Sequence, residues 1–174
     1  MRMESTYVAI RHAEECDAEA LFDNYLGNEA VCLYLSRRAY QSKQQALQSI
    51  QHWREQYHAE NAQLLVLVIE EVASHTPIGC LVLILKPEWS EIHFGISCQH
   101  QGKGYATQAC EIGIQYLKKL GCRYIRTHPH VDNEASIRVL KKVGFKRQGT
   151  LTAHATFPAI SNEPQDCADM CLGI

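Results

Sequence analysis

No run of apolar residues in this 174-residue sequence is long enough to cross a membrane. The longest, around Leu64–Ile69 and Cys80–Leu85, are strand-sized, against the roughly 20 residues that a transmembrane helix requires. Neither sign of charge dominates. Lys and Arg number 17 and Asp and Glu 19, for a formal net charge of −2, without the clustered basic excess that marks nucleic-acid binding. The expected partners therefore include neither nucleic acid nor membrane. Met1–Ser5 lacks the apolar core of a secretion signal, so the cytoplasm is the expected location. No repeat, low-complexity tract or linker-like shift of composition interrupts the chain. A single domain over 1–174 is expected.

Paired cysteine ligands are also missing. The eight cysteines, Cys16, Cys32, Cys80, Cys98, Cys110, Cys122, Cys167 and Cys171, are scattered with no CxxC pair, and most lie among apolar residues, where a thiol acts as a small hydrophobe. Reduced structural thiols and no metal are expected. The apolar and charged fractions, 46% and 21%, are those of an ordinary globular protein.

What is present is a clear succession of periodic segments. Tyr7–His12 alternates as a strand. Asp17–Leu26 predicts a helix stopped by Gly27, and Lys43–His58 a second with Ala46, Leu47, Ile50, Trp53 and Tyr57 along one face. Three strands follow at Gln63–Glu70, Ile78–Leu85 and Glu88–Ser97, with Thr76-Pro77 as the turn between the first two. From Gly102 the spacing becomes helical as far as Gly121. Arg123–Thr127 is a strand and Asn133–Val143 a helix, with Gly144 at its left-handed C′ position. Lys141 and Lys142 fall in its last turn, which accounts for most of the one basic cluster, completed by Lys146 and Arg147. Strands near Lys146–Leu151 and Cys167–Leu172 flank a loop containing Pro158 and Pro164. The order predicts an α/β (α+β) fold: a mixed, mostly antiparallel sheet of six or seven strands with about four helices on both faces.

Chemistry concentrates in Gln99-His-Gln-Gly-Lys-Gly-Tyr-Ala106. Two glycines one residue apart permit a tight turn, and the N–H groups of a helix start make an anion site suited to a pyrophosphate. A P-loop is excluded because Gly104, not Ser or Thr, follows Lys103. A dinucleotide fingerprint is excluded because Thr107 stands at the third small position and Gly121–Arg126 supplies no acidic ribose ligand.

Gln99-x-x-Gly102-x-Gly104-x-Ala106 resembles the acetyl-CoA pyrophosphate loop of the GNAT N-acetyltransferase superfamily. Asn133-Glu-Ala-Ser136 through Gly144-Phe145 resembles its Asn-x-x-Ser helix, and Trp89–Ile96 its fourth strand. The Asn-x-x-Ser form is most similar to the ribosomal-protein N-terminal acetyltransferase branch. The resemblance implies the acyl-CoA N-acyltransferase fold and acetyl-CoA as co-substrate. It implies an amine acceptor, either a protein N-terminus or a small molecule, attacking directly in a ternary complex. The coenzyme would be held by Ile96, Ser97, Cys98, Gln101, Gly102, Lys103, Gly104, Tyr105, Ala106, Asn133 and Ser136, in a monomer or homodimer.

The reaction needs a base for the amine, donors for the tetrahedral oxyanion and a proton for the leaving thiolate. Alternation along the strand puts Glu91, His93 and Gly95 on one face. Glu91 is the leading base, as the resemblance also implies, and the imidazole of His93 is the alternative. The resemblance implies a bulge in this strand, expected at Gly95–Ser97, whose backbone N–H is the oxyanion donor. Where many relatives place a tyrosine acid this chain has Leu140, and the resemblance points to Ser136 instead. The acceptor is expected against the early helices and the late loop, near Tyr34, Arg37, Arg38, Tyr40, Trp53, Tyr57, His154 and Phe157. A non-catalytic acyl-CoA-binding domain and a nucleotide-binding module are the competing readings.

Overall fold

The computed structural model describes residues 1–59 and 62–174. Eight strands form one sheet in the order β1-β2-β3-β4-β5-β6-β8-β7. They are β1 (Arg2–Glu4), β2 (Val8–Arg11), β3 (Leu64–Glu71), β4 (Thr76–Leu85), β5 (Ser90–Ile96), β6 (Tyr124–Thr127), β7 (Lys146–Ala155) and β8 (Gln165–Gly173). Every neighbouring pair is antiparallel except β5 and β6. The helices are α1 (Asp17–Leu21), α2 (Glu29–Cys32), α3 (Lys43–Gln56), α4 (Tyr105–Lys119) and α5 (Glu134–Lys142).

Among the described residues the sheet thus has eight strands where six or seven are expected, and there are five α-helices rather than about four. The additional strand, β1, has three residues, Arg-Met-Glu, too short to show a period. It exists because it pairs with β2, Arg2 opposite Arg11. The additional helix, α2, is a single turn capped by Asn28, whose Oδ1 accepts the N–H groups of Ala30 and Val31.

Alternation along the central strands builds two cores. Leu65, Leu67 and Ile69 of β3, with Leu81, Leu83 and Ile92, pack under α4 and α5. Val66 and Val68, with Cys80 and Val82, pack under α1 and α3. Burial on both faces explains why these strands read as unbroken apolar runs. Trp53 belongs to the second core. Tyr57 packs at the edge of the first, where its hydroxyl bonds the carbonyl of Val66. Both are partly buried packing residues.

One local expectation is overturned and another is modified. Thr76 and Pro77 lie inside β4, and the turn is Val72–His75. Proline is tolerated there because Pro77, opposite Glu70, adjoins a bulge in β4 that leaves Ile78 between the pairs Ile69/Gly79 and Glu70/Pro77, where the ladder already shifts. The helix opened at Asp17 does not run regularly to Leu26 but widens into a π-helical turn at Phe22–Leu26. Gly27 ends it with φ −90°, outside the left-handed region. The glycine is required by packing, since a Cβ there would come 2.8 Å from the Phe22 ring.

An ion-pair network ties the β1–β2 edge to α1. The buried Glu70 carboxylate receives Arg2 and Arg11, and Arg11 also forks onto Asp17.

Candidate active site

Topology brings the helix starts together. β5 and β6 are parallel, β5 leads into α4 and β6 into α5, so both helix N-termini open at the carboxyl end of this strand pair. The two strands are paired only at Ser90/Ile125 and Glu91/Arg126. Beyond Glu91 they part, leaving a cleft that runs toward the two helix starts.

The glycine loop stands at the mouth of that cleft. Gly102 and Gly104 have φ of +77° and +82°, and nothing lies within 4 Å of where a Cβ would project from either. Gly104 is the N-cap of α4 and supplies no side-chain cap. A 15-residue helix therefore begins with uncapped N–H groups facing an open concavity, the arrangement that favours a phosphate. Around it, Gln101 Nε2 donates to the Ile96 carbonyl at 3.0 Å. The buried Ser97 hydroxyl is bonded to His100 Nδ1 at 2.7 Å. Tyr105 donates its hydroxyl to Glu71 Oε1 at 2.9 Å, and Lys103 is exposed. Ser97, Gln101 and Tyr105 thus use their side chains to fix the loop. Cys98 is exposed, in a 3₁₀ turn at Cys98–His100.

On β5, Glu91, His93 and Gly95 share the face covered by α1 and α3, as alternation requires. Glu91 Oε2 lies 2.9 Å from His93 Nε2, and Lys86 Nζ lies 2.6 Å from Oε1. The hydrogen bond to His93 outweighs partial burial, Lys86 adds to it, and the carboxyl is held down to about 2. The expected bulge at Gly95–Ser97 is absent: β4 and β5 pair without a shift from Leu85/Ser90 to Gly79/Ile96. Gly95 is glycine because the Tyr25 ring lies where a Cβ would stand. The cleft comes instead from the divergence of β5 and β6. The Ser97 N–H donates to Ile78 of β4, so ladder alternation turns the N–H groups of Phe94 and Ile96 toward the cleft.

At the start of α5, Asn133 Oδ1 accepts the Ser136 N–H at 3.1 Å, an N-cap. Among the described residues, its Nδ2 and the Ser136 hydroxyl make no hydrogen bond. Leu140 is fully buried in the core under α4 and α5. The residue that replaces the tyrosine is therefore a packing residue.

The expected acceptor residues separate into two groups. Arg37 is a clamp inside the fold: its Nη1 bonds the carbonyls of Leu26 and Arg38, and the guanidinium lies over Tyr25 and Tyr40. Arg38 is exposed. Tyr34 and Phe157 instead meet over His130, with ring centroids 5.1 Å from it in each case, and His154 lies 4.7 Å from His128. Lys86, His128, His130 and Asp169 carry no local sequence signal. Lys86 reaches Glu91 from the β4–β5 turn, and His128 and Asp169 meet through the pairing of β6 with β8, which no short motif encodes.

Among the described residues no group of three or more His, Cys, Asp or Glu side chains is arranged to hold a metal ion, and no helix is long and apolar enough to cross a membrane.

Residues 8–146 match the acetyltransferase (GNAT) domain family. An uncharacterized N-acetyltransferase of Bacillus subtilis (strain 168), YoaA, is 29% identical over 153 residues, 86% of this chain and 85% of that protein. Among solved structures, a ribosomal-protein alpha-N-acetyltransferase, RimL, in complex with coenzyme A superposes with a TM-score of 0.86 at 19% identity, covering 100% of this chain and 98% of the other. The spermidine N-acetyltransferase of Vibrio cholerae, in complex with CoA and spermine, superposes with a TM-score of 0.77 at 21% identity, covering 95% of each chain.

Proposed function

The chain belongs to the acetyltransferase (GNAT) family, and from that premise we propose that it moves an acetyl group from acetyl-CoA to a primary amine by direct attack in a ternary complex. The observation that carries this reading is the coincidence of three features at one cleft. They are the uncapped, glycine-opened start of α4, the parting of β5 and β6, and the Glu91–His93 pair on the cleft wall.

Each step is assigned by what the residues can do. The pyrophosphate is received by the N–H groups from Gly102 to Ala106, and the pantetheine amides by the free Nδ2 of Asn133. The N–H groups of Phe94 and Ile96 face the thioester carbonyl and stabilise the oxyanion. A carboxyl held at about 2 is a weak proton acceptor near neutrality. His93 is therefore the base, and Glu91 orients its ring and stabilises the imidazolium that forms. The amine loses its proton to His93, its nitrogen bonds to the acyl carbon, and the C–S bond breaks. Ser136, whose hydroxyl is unengaged, is the group placed to protonate the leaving thiolate. A covalent route through Cys98 lacks a paired base: none of the hydrogen bonds made by described residues involves its thiol.

The test is amine-dependent release of CoA thiol from acetyl-CoA, with initial rates measured over both substrates. Intersecting lines support the ternary complex, and parallel lines overturn it.

A further inference from the structure

We propose that the cleft face beside the amine position holds a site for a second cationic nitrogen of the acceptor, with Asp169 as its anion and His128 and His154 as its walls. The proposal rests on the acetyl-transfer reading and deepens it, because it defines the acceptor as an amine that carries another positive charge.

The placement follows from register. Glu91 and Arg126 are the last paired residues of β5 and β6. The next residues on the same face of each chain, across the open cleft, are His93 and His128. β8 runs beside β6 with Thr127 opposite Met170, which brings Asp169 level with His128. A group bound against Asp169 is therefore across the cleft from the proposed base.

The site is built and incomplete. Asp169 Oδ1 is buried and has no hydrogen-bond partner. Its one ionic neighbour among the described residues is His128 Nε2 at 3.5 Å, beyond a normal hydrogen bond. A buried carboxylate oxygen without a donor is costly to keep. Burial lowers the pKa of His128, and His154 lowers it further, so this imidazole does not neutralise Asp169 near pH 7. The nearby cations are engaged elsewhere: Lys86 on Glu91, and Arg126 over the Trp89 ring.

The backbone supports the same reading. Ala153 has φ +49°, a left-handed conformation that alanine rarely adopts. It lies in the irregular stretch of β7 between Leu151 and Ala155, and its N–H is held by Asp166 Oδ1 at 2.9 Å. This kink leads directly into His154, whose ring lies edge-on 4.7 Å from His128. Such strain persists where the surroundings enforce it and is concentrated at functional sites. A carboxylate with a buried unpartnered oxygen, beside His128 and the His154 ring that meets it edge-on, suits an ammonium or guanidinium group. That group is either the far end of a linear diamine or the side chain following a peptide N-terminus.

The test compares acceptors that differ only in the second charge. With acetyl-CoA saturating, kcat/KM is measured for linear diamines of increasing length against the monoamines of equal length. Peptides with Lys or Ala at the second position form the other arm. A charge-assisted contact predicts a preference of about tenfold to a hundredfold for the dication in one arm. The diamine arm should show an optimum length, and the arm that shows the preference identifies the source of the charge. In Asp169→Asn the ratio of dication to monocation falls to about one. Equal kcat/KM for both classes in the wild type, or an unchanged ratio in Asp169→Asn, overturns the site. Calorimetric titration of a diamine and its monoamine onto the CoA complex reads the subsite even without turnover. Tighter diamine binding with no acetylation would therefore refute the catalytic reading alone, and equal binding would refute the subsite.

Discussion

The carboxylate of Glu91 and the imidazole of His93, two residues apart on one face of β5, meet at 2.9 Å. That bond divides the labour between the two residues singled out as bases. Glu91 is anchored from its other oxygen by Lys86 and remains ionised far below neutrality, so in the proposed mechanism it serves His93 rather than the amine.

The pH profile is the first consequence. Because Glu91 keeps its charge down to about pH 2, an acid limb of kcat/KM at higher pH belongs to a group other than this carboxylate. His93→Gln should lower kcat by about a hundredfold or more and remove that limb, as loss of a general base does. Glu91→Gln should lower kcat while CoA affinity measured by calorimetry is retained. A limb that persists in His93→Gln would take the base role away from His93.

The glycine loop gives a donor-side prediction. At φ +77° Gly102 sits where a side chain costs about 1–2 kcal/mol, and a carboxylate there opposes the anion site. Gly102→Glu should weaken CoA binding by at least about tenfold, without a matching loss in the affinity for a monoamine acceptor. Unchanged CoA affinity would reduce the loop to a helix entry.

Asn133 and Ser136 make separable contributions. Asn133→Ala removes an observed cap, which is worth about 1 kcal/mol of stability, and also the amide proposed for pantetheine, so both the unfolding midpoint and CoA affinity should fall. Ser136→Ala should spare stability and lower kcat. A fall in stability without loss of affinity would leave Asn133 a cap alone, and an unchanged kcat in Ser136→Ala would assign the thiolate's proton to solvent.

Acid sensitivity should come from the β1–β2 edge. Burial alone would raise Glu70, but hydrogen bonds from Arg11, Arg2 and His75 prevail and lower it from 4.5 to about 2. A carboxyl depressed in the folded state stabilises the fold above its unfolded pKa, and that contribution is lost as the pH falls through the folded value. The unfolding midpoint should therefore drop between pH 4.5 and about 2, and drop less steeply in Glu70→Gln. Some slope should remain, because Glu91 shares the same window.

The sequence is informative wherever function and fold are local. Gly102 and Gly104, the alternation of Glu91 and His93, and the Asn133 cap are each contained in a few residues, and all lie in the elements predicted for them. Features made by pairing are not legible. β1 exists only against β2, and the cleft is the place where β5 leaves β6. His128 meets Asp169 because β8 returns beside β6. The bulge expected at Gly95 shows the reverse error: the glycine answers to Tyr25, a residue remote in sequence, and not to its own strand.

The central claim is tested most directly by following CoA thiol release from acetyl-CoA with the purified protein, across monoamines, diamines and short peptides. Release that requires the amine, matches it mole for mole as acetyl-amine product, and fails in His93→Gln is the predicted result. Saturable acetyl-CoA binding with no amine-dependent release from any acceptor would contradict it and leave a protein that binds the coenzyme without using it.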